Sequence, residues 1–231
     1  MPYSATVSGH ILAIGGGGVL SPGSKLERQL LELSGKPRPL VAYLPTAAAD
    51  SDERIALATG VFGRRECELD VVTLFGMPER AAERVAAADV VYVHGGNTAN
   101  MLAIWRVHGV DRALREVWQR GGVLGGWSAG ANCWFEDSVT DSFGPRLREL
   151  GAGLGLLPGS FCPHYDTEVE RRGTYTRLVR EGILPAGYAA DDDAAFHFAG
   201  TELREVVSQR DGARGYRVTP DGEEPLEARQ L

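Results

Sequence analysis

The chain has 231 residues, 43% of them apolar, with 24 Lys and Arg against 31 Asp and Glu for a net charge of −7. That length supports one domain with an ample core, and an acidic chain with no block of basic residues argues against a nucleic-acid or anionic-membrane surface. Cys67, Cys133 and Cys162 are odd in number and far apart, so they suggest neither a disulfide framework nor a zinc site and read as small buried hydrophobes. No run approaches the ~18 apolar residues of a bilayer span. The first 24 residues carry no Lys or Arg, which argues against a signal peptide. These features predict a cytoplasmic protein acting on small molecules or peptides.

Taken in order, short β-branched runs alternate with longer amphipathic ones. His10 to Ile14 reads as a strand that empties into Gly15-Gly16-Gly17-Gly18, and Ser24 to Leu33 has leucines at helical spacing. Pro39 to Leu44, Leu69 to Leu74, Val90 to Val93 and Gly122 to Trp127 read as four more buried strands. Helices are predicted over Asp52 to Gly60, Pro78 to Ala87, Asn100 to His108 and Val110 to Arg120. Strands apolar on both faces, each followed by a helix, predict a parallel sheet covered on both sides. Asp137 to Leu156 reads as loop with short helical turns, and Glu168 to Glu181 as a helix weakened by Gly173. From Tyr188 on, short strands and turns such as Asp211-Gly212 predict an antiparallel edge. No linker or repeat divides the chain, so one domain over 1–231 is expected.

Gly126-Trp127-Ser128-Ala129-Gly130 stands directly after a predicted strand and before a predicted helix. Glycines at these two positions let the chain turn so tightly that the serine is exposed at the tip, with the next N–H facing a reacting carbonyl. Ser128 is therefore the candidate nucleophile, against the alternative of a steric strand-ending turn. Gly95-Gly96-Asn97-Thr98 follows another strand in the same way. If the two strands are neighbours, the N–H groups of Gly96 and Ala129 share an oxyanion hole, worth ~3 kcal/mol per donor. A plain turn with Asn97 or Thr98 as N-cap is the compatible alternative. The glycine run at 15–18 lacks the spacing of a dinucleotide fingerprint, and no cofactor or metal is called for.

A serine needs a base, and the chain offers five histidines. His10 and His108 read as surface or capping groups, His94 as a residue that could line the site, and His197, within an apolar run, as a strand histidine. His164, in the polar turn Pro163-His164-Tyr165-Asp166, is the candidate base. The orienting carboxylate stays open among Glu136, Asp137, Asp141, Asp166 and Asp191-Asp192-Asp193. Arg171 and Arg172 read as an exposed helix face or, if that helix borders the pocket, as a clamp for a substrate carboxylate.

Val91-Tyr92-Val93-His94-Gly95-Gly96-Asn97-Thr98, Gly125-Gly126-Trp127-Ser128-Ala129-Gly130-Ala131-Asn132 and Pro163-His164 together resemble the peptidase E and cyanophycinase family of serine peptidases over roughly residues 10–200. The resemblance implies an α/β three-layer sandwich built on a parallel sheet, similar to the flavodoxin-like class I glutamine amidotransferases, with a serine in place of their cysteine. It implies Ser128 as nucleophile, His164 as base, Gly96 and Ala129 as oxyanion hole, and Asp141 as the nearest match to the acid; Asp166, two residues after His164 where the family has neutral residues, is a departure that keeps the alternative open. It further implies hydrolysis of short peptides, including those with N-terminal aspartate, and a homodimer; Asn97, Thr98, Arg171 and Arg172 are the candidate substrate contacts, and Trp105, Trp118 and Trp134 read as core residues or as interface candidates. An esterase and a non-catalytic binding protein on the same fold are the alternatives.

Overall fold

The computed structural model describes residues 9–231; the first eight residues, part of the stretch read against a leader, lie outside the described residues. The parallel core consists of β1 (His10–Ile14), β2 (Leu40–Leu44), β3 (Glu68–Val71), β4 (Val90–Val93) and β5 (Val123–Trp127). Around it lie α1 (Leu26–Glu32), α2 (Asp52–Phe62), α3 (Ala81–Ala87), α4 (Thr98–His108) and α5 (Val110–Gln119). After β5 come the short α6 (Ala129–Asn132), β6 (Phe135–Thr140), β7 (Arg148–Glu149), β8 (Leu157–Cys162) and α7 (Val169–Arg180). The chain ends in β9 (Gly187–Ala190), β10 (Ala194–Ala199), β11 (Glu202–Ser208), β12 (Gly215–Thr219), β13 (Gly222–Leu226) and β14 (Ala228–Gln230).

The main sheet runs β14-β11-β10-β1-β5-β4-β2-β3, and a second one runs β13-β12-β9-β8-β6-β7. β1, β5, β4, β2 and β3 pair in parallel, as the runs of apolar residues predict. Alternate residues serve opposite faces. Ile11, Ala13, Ala42, Leu44, Val91, Val93 and Leu124 enter one core with α3, α4 and α5, while Leu12, Ile14, Val41, Tyr43, Val90, Tyr92 and Val123 pack with α1 and α2 in the other. A third core joins α7 to the second sheet through Cys162, Tyr175, Leu178, Leu184 and Val218.

Several boundaries depart from the sequence reading for local reasons. The third strand stops at Val71 rather than Leu74, because the N–H groups of Leu74 and Phe75 are taken by the Asp50 carboxylate. The helix expected from Pro78 begins at Ala81, since Arg80 is left-handed (φ 51°). The region 137–156 is not only loop: β6 runs through Glu136 and Asp137, polar residues that hide its strand character, and pairs in parallel with β8. The segments after Tyr188 are divided between the two sheets, and β8 pairs in parallel with β9, so the expected antiparallel edge is only part of what the C-terminal third forms.

The topology brings two turns together. Ser128 N–H donates to Ile14 O (3.1 Å) at the carboxyl end of β1. The 191–193 turn between β9 and β10 reaches the same place, with Asp193 N–H donating to Gly16 O (2.9 Å) and Gly15 N–H to Ala194 O (2.9 Å). Tyr165 N–H donates to Ala190 O (3.0 Å), which docks the turn after β8 against the turn after β9. The ends of β5, β8 and β9 thus converge, where open α/β sheets hold their ligands.

Candidate active site

Ser128 occupies the strand-to-helix corner with φ 53° and ψ −114°, outside the comfortable regions for a residue with a Cβ. Such a conformation costs roughly 1–3 kcal/mol and persists only where the surroundings over-determine it. Here they do. A Cβ on Gly126 would stand 2.6 Å from Gly130 O and 2.7 Å from Val93 O, and one on Gly130 only 2.4 Å from Val93 O. The corner lies so tightly against the end of β4 that only glycines fit on either side of the serine. Ala131 and Asn132 N–H both donate to Ser128 O (2.9 Å each), whereas the Ala129 N–H opens α6, where no carbonyl of that turn can receive it.

His164 is also left-handed (φ 54°), and its Nδ1 is 2.7 Å from Asp192 Oδ1. A carboxylate can only accept, so Nδ1 carries the proton and Nε2 is left as an acceptor in the neutral ring. The other Asp192 oxygen, Oδ2, accepts from the Thr167 hydroxyl (2.9 Å). Burial alone would raise the Asp192 carboxyl, but the His164 and Thr167 hydrogen bonds override it and hold it below the usual carboxylate range. Gly16 is a glycine for this pair: a Cβ there would fall 2.4 Å from both His164 Nδ1 and Asp192 Oδ1. The Trp127 ring stands edge-on to His164 (centroids 6.5 Å apart), so the imidazole and the serine corner border one cleft.

Behind the pair is a polar brace. Asp166 Oδ1 accepts from Asp192 N–H (2.8 Å), its other oxygen pairs with Arg210, and Arg210 donates to Asp192 O (2.9 Å). Asp191 is buried; burial pushes its carboxyl up to about 6, and Asp166 adds to the rise against the Arg214 N–H.

The profile of Peptidase family S51 matches residues 11–206. The chain belongs to that family. It is 46% identical over 212 residues to the uncharacterized peptidase YgaJ of Bacillus subtilis (strain 168), covering 90% of this chain and 91% of that one. It is 28% identical over 147 residues to peptidase E of Shewanella oneidensis, covering 59% and 62% of the two chains. A peptidase from an acI-B1 Actinobacterium has the same fold, with a TM-score of 0.75 at 21% identity and 96% of each chain covered. A peptidase E-like protein from Listeria monocytogenes EGD-e superposes with a TM-score of 0.64 at 16% identity, over 88% of this chain and all of that one. Membership of S51 makes the chain a serine peptidase, as the motifs imply.

Within this S51 chain the expected residues fall into three groups. Ser128, Ala129, His164 and the Gly95-Gly96 turn gather at the carboxyl end of the main sheet, and β4 and β5 are neighbours. The expected acids do not meet the imidazole. Asp141 is exposed just past β6, and Asp166 holds the Asp192 backbone and Arg210. Asp192 stands there instead, because β9 neighbours β8 in one sheet and β10 neighbours β1 in the other, which forces their turn over His164.

The expected substrate contacts are occupied. Asn97 caps α4, its Oδ1 accepting from Asn100 N–H (2.9 Å) and its Nδ2 donating to Ser142 O (2.9 Å), while Thr98 is buried. Arg171 is buried and donates to Glu168 (2.6 Å); Arg172 grips Glu223 and lies over Tyr165 and Tyr216. Each guanidinium is already paired with a carboxylate of the chain itself.

The remaining histidines have other duties. His94 is buried against Trp127, its Nδ1 donating to Gly95 O (2.6 Å), and burial lowers its pKa and keeps it neutral. His197 lies in β10 with Nε2 3.0 Å from His10 Nδ1. Thr167, Glu168 and Arg210 escaped the sequence reading; only their nearness to His164, for the first two, could have drawn attention to them. Trp105 and Trp134 are fully buried, so neither offers a dimer surface.

Proposed function

We propose that this serine peptidase hydrolyses short peptides through a Ser128, His164 and Asp192 triad, with the N–H groups of Ala129 and Gly96 as the oxyanion hole. The observation that carries the reading is the 2.7 Å bond from His164 to Asp192 beside a serine in a strained elbow. Ser128 Oγ attacks the scissile carbonyl carbon while its proton passes to His164 Nε2, and the carbonyl oxygen takes up the negative charge between the two N–H donors. Collapse of the adduct breaks the C–N bond as Nε2 returns the proton to the leaving amine. Water then repeats the sequence on the acyl-enzyme, losing its proton to Nε2 and releasing Ser128. Asp192 keeps the ring in the Nδ1–H tautomer and stabilises the imidazolium.

The reading places one catalytic domain in the cytoplasm, to which three unpaired cysteines are suited. No described helix is long and apolar enough to cross a membrane. A preference for N-terminal aspartate draws no support from Arg171 or Arg172, both consumed by carboxylates. The test is hydrolysis of a dipeptide panel by the wild type and Ser128→Ala. The variant should lose roughly 10⁴- to 10⁶-fold in turnover; undiminished hydrolysis by the pure variant would refute the triad.

A further inference from the structure

The group facing the working nitrogen of His164 is a carboxylate that the mechanism above leaves unused. Glu168 Oε1 lies 4.0 Å from His164 Nε2. Glu168 is the N-cap of α7, a position that favours Ser, Thr, Asp or Asn because a short side chain can accept from the first free N–H groups. Its side chain makes no capping bond. It turns instead to Arg171, whose Nε donates to Glu168 Oε2 at 2.6 Å. The Arg171 side chain is 4% exposed and Glu168 48%, so a buried guanidinium fixes one carboxylate oxygen and leaves the other open beside the imidazole. Local helix stability is thereby forgone, and an acceptor is set at the mouth of the cleft.

The surroundings share this polarity. Glu168 and Asp192 both face the His164 ring, Asp166 and Asp193 pair with Arg210 behind them, and the two guanidiniums nearby, Arg171 and Arg210, are both bound to these carboxylates. Arg172, the next cation along α7, is held by Glu223. Nothing on this wall would welcome an acidic side chain. A cationic group would meet an unfilled, pre-positioned acceptor and pay little reorganisation.

We propose that Glu168 is a specificity-determining residue that receives the free N-terminal ammonium of a short peptide and disfavours an acidic first residue. The inference rests on the Ser128 reading above. In a peptide cleaved after its first residue, only one Cα separates the ammonium nitrogen from the carbonyl carbon that Ser128 attacks. A carboxylate oxygen 4.0 Å from the nitrogen that takes the serine proton is within reach of that ammonium. The substrates would then be unblocked peptides with neutral or basic first residues.

The test uses Ala-Leu, N-acetyl-Ala-Leu and Asp-Leu with the wild type, Glu168→Gln and Glu168→Asp, and measures binding of the same three peptides to Ser128→Ala and to Ser128→Ala carrying Glu168→Gln. Wild type should prefer Ala-Leu over both other peptides by about 10- to 100-fold in kcat/KM, the scale of one hydrogen bond to a charged group. Glu168→Gln should lose most of that preference through KM rather than kcat, and Glu168→Asp should restore part of it. The dissociation constants should shift by similar factors. Equal use and equal binding of the free and acetylated peptides, or a preference for Asp-Leu, would overturn the proposal. Labelling of wild-type Ser128 by a fluorophosphonate separates the two failures: indifference to acetylation in an enzyme that labels removes only the role of Glu168, whereas absence of labelling removes the serine mechanism itself.

Discussion

The serine corner and the histidine–aspartate pair meet in one cleft but are held there by different forces. Ser128 stands at the end of a parallel strand buried on both faces, between two glycines packed so closely on Val93 O and Gly130 O that a Cβ on either would come within 3 Å of a carbonyl oxygen. His164 and Asp192 stand on turns after β8 and β9, fixed by Thr167, Asp166 and Arg210 through hydrogen bonds and charge. A steric seat is indifferent to pH and salt. A polar seat answers to both, so the pair, rather than the nucleophile, should set how the enzyme responds to solution conditions.

The largest expected effect tests the polar half. Asp192→Asn should keep the fold and lose about 10⁴-fold in kcat, because the amide favours the wrong imidazole tautomer; a steady-state assay beside Asp141→Asn, which should be near wild type, measures it. The steric half should fail differently. Gly126→Ala forces a Cβ against two carbonyl oxygens and should cost about 3 kcal/mol of stability at every pH, read from urea midpoints.

The smallest effect concerns acid and base. Asp192 has a depressed native pKa, so its stabilisation is present above the ordinary aspartate value and is lost as pH falls through the native one. Asp191 has the opposite sign: with a native value of about 6, the folded state holds a proton that the unfolded chain has released. Stability should therefore fall by roughly 2 kcal/mol as pH rises from about 4 to about 6. Asp191→Asn should flatten that decline in urea titrations, and an unchanged slope would mean that another group is responsible.

What was legible in the sequence follows the same division. The parallel core could be read because four of its five strands are apolar on both faces, and the elbow because two glycines flank one serine directly after such a strand, although the carbonyl that excludes a Cβ at both glycines belongs to Val93, far off in the chain. The acid could not be chosen. Asp192 meets His164 only because β9 and β10 join different sheets, and nothing within five residues of either group records that. Asp166 was attractive for its closeness to His164 in the chain, yet its carboxylate points to the Asp192 backbone. β6 was hidden for a related reason: Glu136 and Asp137 make it look like loop, but Asp137 accepts the N–H groups of Ser138, Leu150 and Gly151 and so stabilises the strand it appears to interrupt. Asn97 was legible as a cap, and capping together with a tether to Ser142 is the role in which the structure shows it.

The central claim is that Ser128 is activated through His164 by Asp192. It is tested most directly by the rate at which a fluorophosphonate labels Ser128, located by peptide mass spectrometry, in wild type, Asp192→Asn and Asp141→Asn at one pH. The account predicts rapid labelling of wild type and Asp141→Asn and a rate at least about 10³-fold lower for Asp192→Asn. Equal labelling of Asp192→Asn and wild type, or loss of labelling in Asp141→Asn alone, would contradict it.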